Sequence, residues 1–286
     1  MAHKRSGWQP APFVGSDLSA EDFDRIRALL YERRNFDLGM YKDQCVRRRI
    51  ATRVRACDCE RAEDYIALLE RREDEIDALL GAISIHVSQF FRNPQMFIRL
   101  ERNLLPGLID RAMKRPERRL SIWSAGCSTG EEVYSLALLV DELAPAGLEL
   151  DILGTDISRQ ALDRAREGLF DQHRLREVPE AVLERYFEPE GFRYRICERL
   201  RRQVRFEWHD LLQPAPYPRV DLVLCRNVMI YFSRADQGRI LERMARALSP
   251  EGFLVLGSAE TIIGEPRRWF EPLIAGERIY RCLQAP

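Results

Sequence analysis

The chain has 286 residues, 45 acidic and 45 basic side chains and a formal net charge of zero. That length suits one large domain or two smaller ones. Balanced charge provides no global field to draw in nucleic acid or an anionic membrane. No apolar run reaches the roughly 20 residues needed to cross a bilayer, and the N-terminus lacks the apolar core of a signal peptide. A cytosolic protein with no direct membrane insertion is therefore expected. The seven cysteines are odd in number and scattered. Cys57 and Cys59 form the only close pair, and no second pair or His cluster completes a zinc site. They read as reduced, mostly structural thiols, with no metal site.

In chain order, residues 1–16 are polar and proline-punctuated, which suggests a loose tail. Residues 17–82 read as an all-helical domain. Ser19 to Asp22 has the form of a capped helix start, followed by Phe23, Ile26, Leu29 and Leu30 at helical spacing. Val46, Ile50 and Val54 form a second stripe; Tyr65, Ile66, Leu68 and Leu69 form a third. Residues 83–119 read as a linker with one long helix, roughly 94–114.

From residue 120 to 286 strands and helices alternate, the signature of a parallel sheet. Strands are expected at 120–124, 149–155, 204–208, 220–225, 253–257 and 277–282, the last at the sheet edge. Helices are expected at 131–143, 158–167 and 234–248. The segment at about 170–203 interrupts this order. Its alternating stretch Phe192 to Ile196 predicts a small antiparallel subdomain inserted into the sheet.

The stretch from Leu120 to Val140 reads as strand, small-residue loop and amphipathic helix. The loop around Gly126 and Gly130 has little bulk, so a ligand can approach its backbone, and the helix N-terminus aims at the same place. Glu131 and Glu132 in the first helical turn would repel a phosphate. They suit a ligand with hydroxyls and a cationic group, which points away from NAD or ATP. A glycine pair alone is also compatible with a purely structural turn, with the glutamates as helix-dipole partners.

Ligands collect at the carboxyl ends of parallel strands. The second strand ends in Gly154-Thr155-Asp156, and a carboxylate there suits a ribose diol. The strand 204–208 ends in His209-Asp210-Leu211-Leu212, a polar pair and an apolar pair able to edge an adenine. The strand 220–225 ends in Arg226-Asn227, followed by Tyr231-Phe232. Four polar strand ends at the expected place are far more specific than any one of them.

These strings carry a family resemblance. The segments from Ile122 to Glu132, Gly154 to Asp156, Cys225 to Phe232, and Ser84 to Arg92 resemble the chemotaxis receptor methyltransferase family (CheR). The resemblance spans roughly 17–283 in order and spacing. It implies an α/β protein: an N-terminal all-helical domain, then a doubly wound Rossmann-like methyltransferase domain with a small inserted antiparallel β-subdomain. It also implies a protein-glutamate O-methyltransferase. The cofactor would be S-adenosyl-L-methionine, the product S-adenosyl-L-homocysteine, and the substrate the cytoplasmic helical bundle of chemoreceptors.

By resemblance, Arg92 lies near the methionine end of the cofactor and draws in the substrate carboxylate, while Tyr231 sits beside the transferred methyl. His86 and Ser88 contact the cofactor. Glu132 pairs with its ammonium, Asp156 with the ribose, and Asp210 and Leu211 with the adenine side. Arg226 and Asn227 line the floor, next to the loop containing Gly126. The family commonly has asparagine where His86 and Asp210 stand, and threonine where Ser84 and Ser88 stand. Many methyltransferases of this fold place an acid at the end of the first strand; Trp123-Ser124 stands there, and Glu132 is the expected substitute. The chemistry suits the residues. A glutamate carboxylate is already ionised at pH 7, so alignment and exclusion of water suffice without a general base.

Arg47, Arg48, Arg49, Arg53 and Arg55 lie opposite Val46, Ile50 and Val54. Such faces are usually solvated, but the resemblance implies that Arg47, Arg48, Arg53 and Arg55 dock against the acidic receptor. Nucleic acid is set aside, because no aromatic interleaving accompanies the arginines. Some family members bind a C-terminal receptor pentapeptide through a glycine-flanked loop in the inserted subdomain. The segment Tyr186 to Phe192 is shorter and has one glycine, so a tether-independent enzyme is expected, acting as a monomer. The rivals are a small-molecule methyltransferase on the same scaffold, and a non-catalytic sensor or scaffold that binds S-adenosylmethionine or its product.

Overall fold

A computed structural model describes residues 13–34, 36, 38, 43–83, 88–216, 219–273 and 278–283. The described residues fall into two compact units, Met1–Ile85 and His86–Pro286. Most of the expected N-terminal tail, together with Ser84 and His86, lies outside the described residues.

The first unit holds α1 (Ala20–Arg34), α2 (Asp43–Ala56), α3 (Ala62–Arg71) and α4 (Glu73–Ile83). Ser19 caps α1: its Oγ accepts the Asp22 N–H at 3.0 Å. The three apolar stripes meet inside, with Ile26, Leu30, Val46, Ile50, Val54, Tyr65, Ile66 and Leu69 all buried. One carboxylate enters this interior. Glu75 accepts Arg53 Nε at 3.0 Å and Nη2 at 2.6 Å, and the Tyr65 hydroxyl at 2.7 Å. Burial pushes the Glu75 carboxyl up, but the Arg53 and Tyr65 donors outweigh that and hold it below its ordinary value.

The second unit opens with α5 (Pro94–Arg99) and α6 (Leu105–Met113), joined by a π-helical turn at Leu100–Leu104. One continuous helix was expected. Pro106 has no N–H to give to a preceding carbonyl, and the chain widens its turn just before it, with the Leu105 N–H reaching back to Leu100 O. These helices are not a linker. Phe97, Leu100, Leu104, Leu105, Leu108 and Ile109 pack into the same core as Leu120, Ile122 and Leu136.

Next come β1 (Arg119–Ala125), α7 (Glu131–Leu143), β2 (Glu149–Asp156) and α8 (Arg159–Glu167). The inserted part holds β3 (Leu169–Asp171), α9 (Glu180–Tyr186), β4 (Phe187–Glu190), β5 (Arg193–Ile196) and α10 (Glu198–Arg201). Its three strands form a separate antiparallel sheet in the order β3-β5-β4, as the alternation at 192–196 suggested. The main sheet resumes with β6 (Val204–Trp208), β7 (Val220–Cys225), α11 (Arg234–Ala247), β8 (Leu248–Leu256), β9 (Phe270–Pro272) and β10 (Ile279–Cys282).

Its order is β6-β2-β1-β7-β8-β10-β9, parallel through β8 and antiparallel beyond it. The strand ending at Cys282 is therefore not the edge: three residues at 270–272, too few to show a period, pair outside it. The chain leaves β1 toward β2 on one side and returns to β7 on the other. That reversal opens a crevice at the carboxyl ends, where such folds bind ligands.

Candidate active site

Register aligns the four expected strand ends. Ala125 pairs with Thr155, Asp156 with Trp208, and Ser124 with Leu224. The loops that follow therefore emerge along one edge. The loop after β1 folds back on β2, where Thr155 O accepts the N–H groups of Gly126 at 2.7 Å and Cys127 at 2.9 Å. Gly126 has φ of +78°, and a Cβ there would lie 2.4 Å from Val228 Cγ2. Glycine is required both by the left-handed backbone and by the close approach of the loop after β7. The bare face of Gly126 is thus filled by Val228.

Asp156 is buried, with Oδ2 accepting the Ser128 N–H and Oδ1 the Ser158 N–H, each at 2.9 Å. Each oxygen retains lone-pair capacity for a diol. Next to it, the His209 N–H donates to Asp156 O at 3.1 Å. Asp210 and Leu211 are buried, and Asp210 Oδ1 accepts the Leu212 N–H at 2.9 Å. Burial lowers the His209 pKa, and its Nε2 has no hydrogen-bond partner among the described residues.

Glu132 returns its carboxylate to the end of β1, where Ser124 Oγ donates to Oε1 at 2.8 Å. An acid thus stands where the fold was expected to need one. Its other oxygen accepts Arg226 Nη1 at 2.9 Å, with the two side chains only 14% and 3% exposed. The Glu132 charge is therefore opposed by an internal guanidinium, which no spacing argument revealed. Arg226 Nη2 donates to Arg92 O at 2.9 Å and to Asn93 Oδ1 at 3.0 Å, and the guanidinium lies over the Phe97 ring. Arg226 is thus less a floor than a strap, joining the end of β7 to α7 and to the turn that carries Arg92.

That turn is held from three further sides. The Phe91 N–H donates to Ser135 Oγ at 2.9 Å. The Phe90 N–H donates to Arg174 O at 3.0 Å, and the Arg174 guanidinium donates to Ser88 O and lies 3.4 Å from buried Glu131. Phe90 packs edge-on against Phe170 and Phe187 of the inserted sheet. Ser88, Arg92, Asn227 and Tyr231 are all half-buried. Asn227 takes a left-handed φ of +62°. A residue absent from the sequence reading, Glu260, accepts the N–H groups of Gly257, Asn227, Val228 and Met229. Burial pushes the thiols of Cys127 and Cys225 well above their ordinary pKa, so neither behaves as a nucleophile.

In the first unit, Arg48 and Arg55 are exposed on α2. Arg47 is tied to Asp43 at 2.8 Å and to Leu18 O at 2.6 Å. Arg53 departs from the expected docking face, because the buried Glu75 turns its guanidinium inward.

A parallel sheet with an acid after its second strand, a glycine loop after its first and a second acid folded back on the first strand end is the architecture of an S-adenosylmethionine-dependent methyltransferase. Residues 86–278 match the family described as CheR methyltransferase, SAM binding domain, and residues 21–84 match CheR methyltransferase, all-alpha domain. The chain belongs to the CheR methyltransferase family. It is 34% identical over 266 residues to chemotaxis protein methyltransferase 2 of Pseudomonas aeruginosa, covering 89% of this chain and 92% of that one. To the chemotaxis protein methyltransferase of Klebsiella aerogenes it is 32% identical over 275 residues, covering 92% and 90%. A third relative, an uncharacterized 104.1 kDa protein of Rhodobacter capsulatus, is 34% identical over 93% of this chain, which spans only 28% of that longer protein. Among the described residues, no helix is long and apolar enough to cross a membrane.

The residues present fit S-adenosylmethionine, the cofactor of the matched domain. Asp156 offers two acceptors for a diol. The loop after β1 brings backbone rather than bulk to the strand ends. The Arg226 Nε–H is buried without an acceptor among the described residues, an unmet donor of the kind a bound carboxylate or water completes.

Proposed function

We propose that this chain is a protein-glutamate O-methyltransferase that esterifies side-chain carboxylates on the cytoplasmic helices of chemoreceptors, working in the cytoplasm as a monomer without a pentapeptide tether. The bound cofactor supplies an electrophilic methyl on a sulfonium. Asp156 would hold its ribose, Asp210 and Leu211 its adenine side, and Glu132 its ammonium while sharing charge with Arg226. Ser88, Asn227 and the Gly126 loop would complete the enclosure. Arg92 would draw the substrate carboxylate into line, and Tyr231 would close the methyl-transfer position to water. Opposite charges merge in this reaction, so a dry, aligned site is the main requirement.

The observation that carries this reading is the Arg226 strap. One buried guanidinium spans the acid at the cofactor end and the backbone of Arg92, so the two reactants' partners are fixed relative to each other. Both relatives named as chemotaxis methyltransferases support a receptor substrate. Tether independence is supported by the β4–β5 connection, two residues long at Gly191 and Phe192.

The test is transfer of radiolabelled methyl from S-adenosylmethionine to receptor-containing membranes, read as base-labile methanol. Measured cofactor binding with no transfer would favour a sensor or scaffold. Labelling of small carboxylic acids without receptor would favour a small-molecule enzyme. Micromolar binding of a receptor-tail pentapeptide by calorimetry would remove tether independence.

A further inference from the structure

We infer that Glu260, which no motif singled out, is the positioning residue that sets the Asn227–Tyr231 turn; this rests on the site reading above. Glu260 is only 4% exposed and follows β8, in a loop with no other link to the chemistry. Its Oε2 accepts Gly257 N–H at 2.6 Å and Asn227 N–H at 2.9 Å. Its Oε1 accepts Val228 N–H at 2.9 Å and Met229 N–H at 2.8 Å. Four convergent amides form an electropositive nest that an ionised carboxylate matches and a neutral side chain does not.

The consequence reaches Tyr231 through the backbone. Tyr231 N–H donates to Val228 O at 3.1 Å and Phe232 N–H to Met229 O at 3.1 Å, so the last part of the turn is built on the carbonyls of two residues whose N–H groups Glu260 holds. Asn227 is left-handed, a conformation asparagine tolerates better than most residues and one that the amide bonds to Glu260 hold in place. Gly257 leaves the required space. A Cβ there would lie 2.7 Å from Glu260 Oε2 and 2.8 Å from Asn227 N. The carboxylate therefore staples the ends of β7 and β8 and fixes the loop that carries Asn227 and Tyr231.

The test compares full-length parent, E260Q, G257A and a core control, L108A, in methyl transfer, S-adenosylhomocysteine binding and amide exchange. E260Q keeps the volume but turns a donor toward two of the amides. Its expected kcat is at least about ten-fold below the parent, with receptor KM unchanged, since small misplacements of aligned groups are costly. Exchange across 226–232 should rise at least about ten-fold with or without cofactor. G257A should reproduce both effects with the carboxylate intact. L108A, matched in melting temperature, should keep kcat within about two-fold.

The inference is overturned if E260Q and G257A keep parental kcat and exchange, or if L108A loses as much activity. Should E260Q fail to fold, G257A alone decides by the same readouts. A parent that binds no S-adenosylhomocysteine defeats the site reading instead, and the exchange measurement still judges Glu260.

Discussion

Asp156, proposed to hold the cofactor ribose, is aimed by one backbone amide on each oxygen. Asp156→Asn keeps the shape but places an amide NH2 against the Ser128 or the Ser158 N–H. It should weaken S-adenosylhomocysteine binding about 100-fold, or ~2.7 kcal/mol, the scale of lost charged hydrogen bonds. Calorimetry checks this; affinity within about three-fold of the parent would remove the ribose role. Asp156 was legible because a strand pattern ends on it. Glu260 was not, because its partners are four featureless amides that only strand adjacency brings together. The Glu132–Arg226 pair was equally hidden: both residues were visible, but 94 positions apart.

His209 gives a pH signature at the same scale. Burial lowers its pKa from 6.5, against the opposing pull of Asp210 and with a smaller push from Arg243. The unfolded chain therefore binds a proton below about 6.5 that the folded chain does not, so stability falls as pH drops through that range and is unaffected above it. Melting temperature should fall less for His209→Gln than for the parent between about pH 7.5 and 5.5. Equal slopes would exclude His209 as the cause.

At the scale of elements, α2 illustrates what periodicity reveals and what it omits. Val46, Ile50 and Val54 were legible as its buried stripe and are buried. The partner of Arg53 was not, because a wheel drawn on one helix cannot show the Glu75 that α4 brings beside it. Arg53→Ala should cost about 3 kcal/mol of stability by leaving a buried carboxylate with the neutral donors Tyr65 and Cys57 and no cation. At temperatures well below the melt, receptor KM should be unchanged. Chemical denaturation followed by circular dichroism measures the first effect, and methyl-transfer kinetics the second. Because the Glu75 carboxyl is held below its ordinary value, this stabilisation is present above about pH 4.3 and is lost as pH falls through the folded value. The α5–α6 break has a similar origin. Apolar spacing continues through it, and only the missing N–H of Pro106 forces the wider turn.

Over the whole molecule, a net charge of zero conceals local imbalance. At the strand-end site two acids are offset internally, Glu132 by Arg226 and Glu131 by Arg174. On α2, by contrast, Asp43 offsets Arg47 and Glu75 offsets Arg53, while Arg48 and Arg55 are exposed, Arg55 donating to the neutral Phe13 O and Thr52 Oγ1 and so keeping its charge toward solvent. Exposed charges chiefly govern encounter and are screened by salt, whereas buried pairs are screened much less. Reversing both, as R48E with R55E, should raise receptor KM about ten-fold. S-adenosylhomocysteine affinity and kcat should stay parental, because neither residue belongs to the strand-end site. Raising ionic strength should increase the parental KM while leaving that of the double variant flat or lower. A parental KM in the double variant, or the same salt response in both proteins, would show that α2 does not steer the receptor and that recognition lies elsewhere on the chain.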